Sequence, residues 1–352
     1  MCDEQGILVI SLDFELLWGL LDTPAPMNYR SSIEGVRRAI PRILSVFEQY
    51  GVHATWGVVG FLMRESIRDC SENLPDVLPA YEQNGLSPYT HFGALEKCDK
   101  QLLFAGDLVD IIQKTPGQEI GTHTYSHYYC MEKGQTKDAF ECDLQKAKEV
   151  AAGREQLLRS IVFPRNQFNP DYADVMKKHN LINYRGNERA WIYESCETKK
   201  KKSIVRRILR LLDNYAGIFG NHCYPLSAIK DKNGLNNIRS SRFLRPYSKR
   251  LAFLEPLRLR RICSQMTYAA KSGQVFHLWW HPRNMGSDTE RNLQNLQALL
   301  RHYLKLKAQY GMESLNMGEI GDRISNDKML PENNKTPENA MERHPRVAGK
   351  EA

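Results

Sequence analysis

The chain has 352 residues, 41% of them hydrophobic and 26% charged, which is enough apolar material for one large α/β domain and excludes global disorder. No run approaches the ~18 consecutive apolar residues of a membrane span. The formal charge is +8, from 49 basic and 41 acidic residues, but residues 199–210 alone hold seven Lys/Arg and no acid; so local an excess argues against a basic surface built for nucleic acid.

Short apolar runs alternate with helical patterns, the signature of βα units around a parallel sheet or barrel. Residues 7–12 read as the first strand. Ser31-Ser32-Ile33-Glu34 offers a capping box that opens a helix towards Tyr50. Residues 54–60 read as the second strand and 100–114 as a helix. Residues 118–122 form a short strand running into His123-Thr124-Tyr125-Ser126-His127. A helix follows over 135–158, then a strand over 161–163 stopped by Pro164. Residues 171–179 are helical and lead to a strand near 182–185. An irregular, partly basic insertion occupies 192–250. Residues 256–272 are helical, 275–279 form an aromatic-rich strand, 288–309 a long amphipathic helix and 314–317 a last strand. The reading is one domain over 1–322. Residues 323–352 are polar and rich in Pro, Asn and Glu, and read as a disordered tail.

The cysteines lie at 2, 70, 98, 130, 142, 196, 223 and 263, with no CxxC pair. They read as reduced structural thiols, so a cysteine zinc site is not expected. Residues 1–6 carry no basic segment and no apolar core of a leader, and a cytoplasmic location is the expectation.

Polar clusters follow directly on the expected strands, at the edge where α/β barrels carry their active sites. They are Asp13-Phe14-Glu15, His123 to His127, Arg165-Asn166-Gln167, and His281. Two imidazoles four residues apart on one helical turn reach a single metal ion; the alternative is a surface helix with two unrelated histidines. Two acids at a strand end divide labour, one binding the metal and the other acting as general base; the alternative is an exposed pair capping a turn. His277, set in FHLWW, reads as a packed strand histidine. Residues 236–247 read either as a substrate loop or as a solvated connection.

Taken in order, these clusters resemble the polysaccharide deacetylase family, the carbohydrate esterases that share the NodB homology domain. The resemblance spans about residues 7–285 and implies an α/β fold, a distorted (β/α) barrel of about seven parallel strands. Asp13 in Ser11-Leu12-Asp13-Phe14-Glu15 matches the family's catalytic base and Glu15 its metal-binding acid, although the usual second acid is an adjacent Asp. His123-Thr124-Tyr125-Ser126-His127 matches the H-[ST]-x-x-H motif in full. Phe163-Pro164-Arg165-Asn166-Gln167 resembles the third motif and makes Arg165 the residue that orients Asp13; the motif's aromatic residue is missing. Trp191 falls where the fourth motif supplies a wall to the acetyl pocket. His281, in Leu278-Trp279-Trp280-His281-Pro282, matches the general acid. Trp279 or Trp280 is a candidate for stacking on a sugar, and Arg283, Asn284 and Arg245 are candidate substrate contacts.

The resemblance implies a metal-dependent hydrolase acting on linear amide C–N bonds. It would remove an N-acetyl group from a polysaccharide, lipid-linked or nucleotide-linked sugar during cell-surface polysaccharide synthesis. The metal would be a divalent ion on Glu15, His123 and His127, zinc first, with cobalt, nickel or iron as alternatives. Two other readings stand beside it: the same fold acting on a non-sugar amide or imide, and a catalytically inactive carbohydrate-binding relative. The stretch 199–212 reads either as a basic amphipathic helix making peripheral contact with the inner membrane surface, or as a helix with one face on the barrel and a solvated basic face. The oligomeric state is not legible.

Overall fold

The computed structural model describes residues 5–83, 85–195 and 204–327. Most of the expected tail (328–352) and the lysines 199–202 lie outside them. Residues 323–327, expected in the tail, form the end of a helix over Met317–Asp327.

The strands are β1 (Ile7–Phe14), β2 (Ala54–Val58), β3 (Gln118–Thr122), β4 (Ser160–Ile161), β5 (Asn183–Tyr184), β6 (Tyr224–Pro225), β7 (Asn236–Asn237), β8 (Arg242–Phe243), β9 (Gln274–Trp280) and β10 (Glu313–Ser314). They form one curled sheet in the order β6-β9-β1-β2-β3-β4-β5-β7, with β8 beside β9 and β10 beside β1. The ladders are parallel except β6 on β9. The segment carrying β7 and β8 bridges the two edges. Its Ile238 and Ser240 amides donate to Tyr184 and Gly186 of the β5 edge, and its Ser241 and Leu244 amides donate to His277 and Trp279 of β9. Counting β7 and β8 as one bent strand gives the distorted parallel barrel that the clusters imply. Part of the expected insertion is therefore the stave that completes the barrel.

β1 is buried along its whole length, as a parallel strand covered on both faces must be. Side chains alternate across a strand, so its two faces pack differently. Leu8, Ile10, Leu12 and Phe14 join the large cluster beneath the outer helices, whereas Ile7 and Val9 join a smaller inner cluster with Val162, Val275, Met317 and Ile320. Ser11 and Asp13 continue the inward row. Gly57 and Gly121 keep the barrel narrow: a Cβ at Gly57 would lie 2.8 Å from the Val162 Cβ, and one at Gly121 would lie 2.9 Å from the Ser160 carbonyl oxygen.

Two local expectations are overturned. Ser31 and Glu34 make no capping box. They lie inside a short helix, Arg30–Glu34, where Arg30 Nε donates to Glu34 Oε1 at 2.7 Å, and the main helix begins at Val36. Gly35 stands between the two helices, where the chain runs so close to Gly286 that a Cβ would sit 2.0 Å from its carbonyl oxygen. Residues 123–127 are not a helical turn either: Thr124 and His127 have left-handed backbones, φ 63° and 61°.

Candidate metal centre and catalytic cleft

The inward row of β1 ends in Asp13, and Glu15 follows one step beyond, both buried. Gly19 makes room for the Glu15 carboxylate, since a Cβ there would fall 2.0 Å from its Cδ. His123 leaves β3 with its Nδ1 donating to the Val162 carbonyl at 2.7 Å, which aims the bare Nε2 inward. That Nε2 is buried without a hydrogen-bond partner and lies 3.4 Å from Glu15 Oε2. His127 Nε2 lies 3.2 Å from the same oxygen. One donor atom from each of Glu15, His123 and His127 falls within 4.8 Å of the others. Donors bound to one ion at ~2.0–2.2 Å stand roughly 3.0–3.5 Å apart in tetrahedral or octahedral arrangement, so the set fits a divalent metal better than it fits hydrogen bonds.

The histidine loop is gripped by Asp143, on the helix over Lys137–Ala152. Its carboxylate accepts from the Tyr125 amide at 2.7 Å, the Ser126 amide at 3.1 Å and the Ser126 hydroxyl. Three donors on one carboxylate compensate the two left-handed residues. Burial pushes the Asp143 carboxyl up to about 7 against those hydrogen bonds.

Asp13 is held by Arg185 in a bidentate pair, Nη1 to Oδ1 at 2.5 Å and Nη2 to Oδ2 at 2.8 Å. Arg185 also donates to Ser11 Oγ at 3.1 Å and twice to Asn166 Oδ1, at 2.7 and 3.2 Å, and lies over the Trp279 ring at 4.2 Å. Burial raises the Asp13 carboxyl, but the Arg185 charge and hydrogen bonds outweigh it and leave Asp13 below the ordinary value. Glu15 is likewise raised by burial and then carried well below it by His281, the two facing imidazoles and Arg283. His281 Nε2 stands 3.5 Å from Glu15 Oε1 and 3.8 Å from Asp13 Oδ2. Burial pushes its imidazole down to about 4. Asp13, Glu15, His127 and His281 line an open cleft of about 470 Å³ with Tyr29, Glu188, Tyr193, Phe243, Arg245 and Trp279.

Residues 34–183 match the profile of the family described as polysaccharide deacetylase. Over that stretch the chain is similar to the polysaccharide deacetylase family. The matched stretch contains His123, His127 and Arg165, while Asp13, Glu15, Arg185 and His281 lie outside it. Over nearly its whole length the chain has the fold of solved structures at low identity. A Mycobacterium smegmatis protein assigned to the polysaccharide deacetylases is 13% identical, with a TM-score of 0.56 over 96% of this chain and 97% of its own. Puue allantoinase is 11% identical, with a TM-score of 0.54 over 92% and 91%. A comparison with curated proteins gives no match.

Of the deacetylase residues expected from the sequence, Asp13, Glu15, His123, His127, His281, Trp279, Arg245 and Arg283 meet in the cleft; Arg283 donates to Glu15 Oε1 at 3.0 and 3.2 Å. Arg165 lines the cleft but does not touch Asp13. The backbones of Arg165 and Asn166 are both left-handed, φ 54°, which turns Arg165 onto Asp22 and delivers Asn166 to Arg185 instead. The partner of Asp13 is Arg185. Trp280 points outward and is fully buried against Phe47. Trp191 lies away from the cleft, half-exposed beneath Arg206. Asn284 lines a separate small cavity with Trp280 and Met285. Asp143 was missed as a site-building residue, because it lies in no pattern that marks chemistry, and Asn166, although inside a cluster that was singled out, was given no role of its own. Arg185 carried a readable signal: it is the last residue of the strand expected near 182–185, at the edge where the clusters that were singled out also stand.

Proposed function

We propose that the chain is a metal-dependent hydrolase that removes the N-acetyl group from a saccharide. The observation that carries this is the convergence of Glu15, His123 and His127 at metal-ligand spacing, beside a buried Asp13 locked by Arg185 and facing His281. Bound on those three donors, a divalent ion such as zinc would supply Lewis acidity to a water and to the amide carbonyl.

The rest of the chemistry falls to the chain itself. Asp13, kept ionised by Arg185, accepts the proton of the attacking water. Arg185 is held at Ser11, Asn166 and Trp279, so the carboxylate cannot rotate away from that position. His281 faces the same space from the end of the neighbouring strand β9 and delivers a proton to the departing nitrogen, which leaves as an amine only when protonated. Its low-lying imidazole is neutral at pH 7, so it gains that proton within the reaction cycle rather than entering charged. The products are the free amine of the sugar and acetate.

Support for a saccharide comes from the open cleft, where Trp279 and Phe243 offer ring faces next to Glu188, Asn187 and Asn214. A reducing, cytoplasmic setting is part of the proposal, supported by free cysteines at 70, 98, 130, 142, 223 and 263. The test is acetate release from N-acetylated saccharides, with and without chelator, beside Asp13→Asn. Loss of release in both arms supports the reading. Chelator-insensitive release removes the metal from it, full activity in Asp13→Asn removes the base, and turnover confined to non-sugar amides removes the saccharide.

A further inference from the structure

Among the described residues four arginines line the cleft, and three of them are engaged within the protein. Arg165 pairs with Asp22, Arg283 pairs with Glu15, and Arg210 donates to the Ile192 carbonyl at 2.7 Å and lies over the Tyr193 ring. Arg245 differs. Its half-buried guanidinium makes no hydrogen bond and no ion pair with any described residue. The acids of the cleft are engaged elsewhere: Asp13 with Arg185, Glu15 with Arg283, and Glu188 with the Trp279 indole N–H. The backbone that carries Arg245 is nevertheless fixed from both sides. The Leu244 amide donates to the Trp279 carbonyl at 2.8 Å, the buried Arg258 donates to the Arg245 carbonyl, and the Tyr247 amide donates to Asn292 Oδ1 at 2.7 Å. A planar fork of N–H donors, on a backbone held still and at the wall of a cleft, suits an anionic oxygen group.

The place of Arg245 says what kind of anion. It stands where two hollows meet: the catalytic cleft, and a groove along the helix over Ile204–Ala216 walled by Ile204, Arg207, Ile208 and Leu211. A carboxylate is a terminal group and would end a ligand at that junction. A phosphodiester or diphosphate is a bridge, with a substituent on either side. We propose that the saccharide is carried on a phosphate, which Arg245 holds at the junction, with the sugar in the cleft and a second substituent in the groove. Guanidinium and phosphate oxygens meet in the bidentate geometry that makes such pairs strong.

The same wall fixes which part of the substrate bears the charge. Phe243 and Arg245 are two residues apart on one segment and both line the cleft, and the Phe243 ring lies 5.9 Å from the His281 ring. His281 serves the departing amine, so the anion belongs to the sugar side of the scissile amide and not to the acyl group. This assignment rests on the deacetylase reading; the phosphate seat at Arg245 does not.

The test is binding to the full chain in chelator, so that no metal competes for phosphate and no acetate is released. Isothermal titration compares N-acetylglucosamine, its 1-phosphate, the octyl diester of that phosphate, and UDP-N-acetylglucosamine. The expected result is the 1-phosphate bound about tenfold or more tightly than the neutral sugar, a preference lost in Arg245→Met and regained in part in Arg245→Lys. A further gain is expected for one extended ligand: the octyl diester if the groove takes an aliphatic chain, the UDP sugar if it takes a nucleoside. If Arg245→Met melts early, Arg245→Gln carries the same comparison. Equal binding of the neutral sugar and the 1-phosphate overturns the proposal, as does a preference that persists without Arg245. Equal affinity for the 1-phosphate and both extended ligands overturns the bridging role. A metal-loaded chain that prefers the 1-phosphate but releases no acetate would remove the deacetylase reading and leave the phosphate seat standing.

Discussion

Arg185 and Arg165 stand near the same cleft and make opposite demands on an experiment. Arg185→Met removes five hydrogen bonds at once: two to Asp13, one to Ser11 and two to Asn166. Asp13 is buried, and burial is the influence that raises its carboxyl; without the guanidinium nothing of comparable size opposes it. Breaking a buried ion pair by deleting one partner costs about 3–5 kcal/mol, reduced here to the extent that Asp13 escapes by taking up a proton. The base then titrates above its ordinary value rather than below it. The acid limb of kcat/KM for acetate release should move to higher pH, and the urea midpoint at pH 7 should fall. Arg185→Lys keeps the charge but not the fork, and should lie between the two. Arg165→Met deletes the partner of Asp22 and should leave the acid limb where it was. An acid limb that moves in Arg165→Met and not in Arg185→Met would refute the assignment of Arg185 to the base.

Three further outcomes follow from the same geometry. Gly19→Ala places a methyl on the Glu15 carboxylate, and should weaken zinc binding by about 10–100-fold in a competitive titration while the thermal midpoint without metal changes little. Trp280→Ala empties a fully buried site and should cost about 3–5 kcal/mol in urea unfolding, whereas Trp279→Ala should raise KM with a smaller loss of stability. His277 is buried and held neutral, pushed down to about 3, with Nδ1–H donating to the Ile238 carbonyl at 3.1 Å and Nε2 accepting from Ser11 at 2.8 Å. Its folded value lies below the unfolded one, near 6.5, so the unfolded chain binds the extra proton between those limits and stability falls as pH drops from ~6.5 towards 3. From pH 6.5 to 5 the loss should be ~2 kcal/mol, and His277→Gln should flatten that slope in urea titrations.

Much of this was legible in the chain, but unevenly. The alternation of apolar runs and helical patterns led to the barrel, and the position of each polar cluster after a strand led to the cleft. The two tryptophans of β9 show a signal that went unused. Side chains alternate along a strand, and His277 and His281 share a face with Trp279, so Trp280 had to look the other way. Arg165 was misplaced because motif spacing does not record backbone handedness; two successive left-handed residues turn the side chain aside, and no composition signal marks them. HTYSH reads as a helical turn on spacing alone, yet its shape is imposed by Asp143, sixteen residues beyond His127, a long-range contact that no local pattern contains. The stave at 236–244 was taken for a loop or insertion because its strands are two residues each and make their hydrogen bonds to distant partners.

That stave bears on how the molecule can be divided. Asp13, His123, Arg185 and His281 come from four separate stretches of chain, and they meet only because β1 has β2 on one side and β9 on the other while the 236–244 segment spans the gap behind them. The stretch that carries the family profile holds two of the three candidate metal donors, His123 and His127, and none of Asp13, Arg185 and His281. Excised, it would be an open fan of strands with exposed edges and half a metal site. The smallest piece able to do chemistry is the whole ring, so additions to such a protein are tolerated between staves, as the basic helix is, and not by exchange of the recognisable middle.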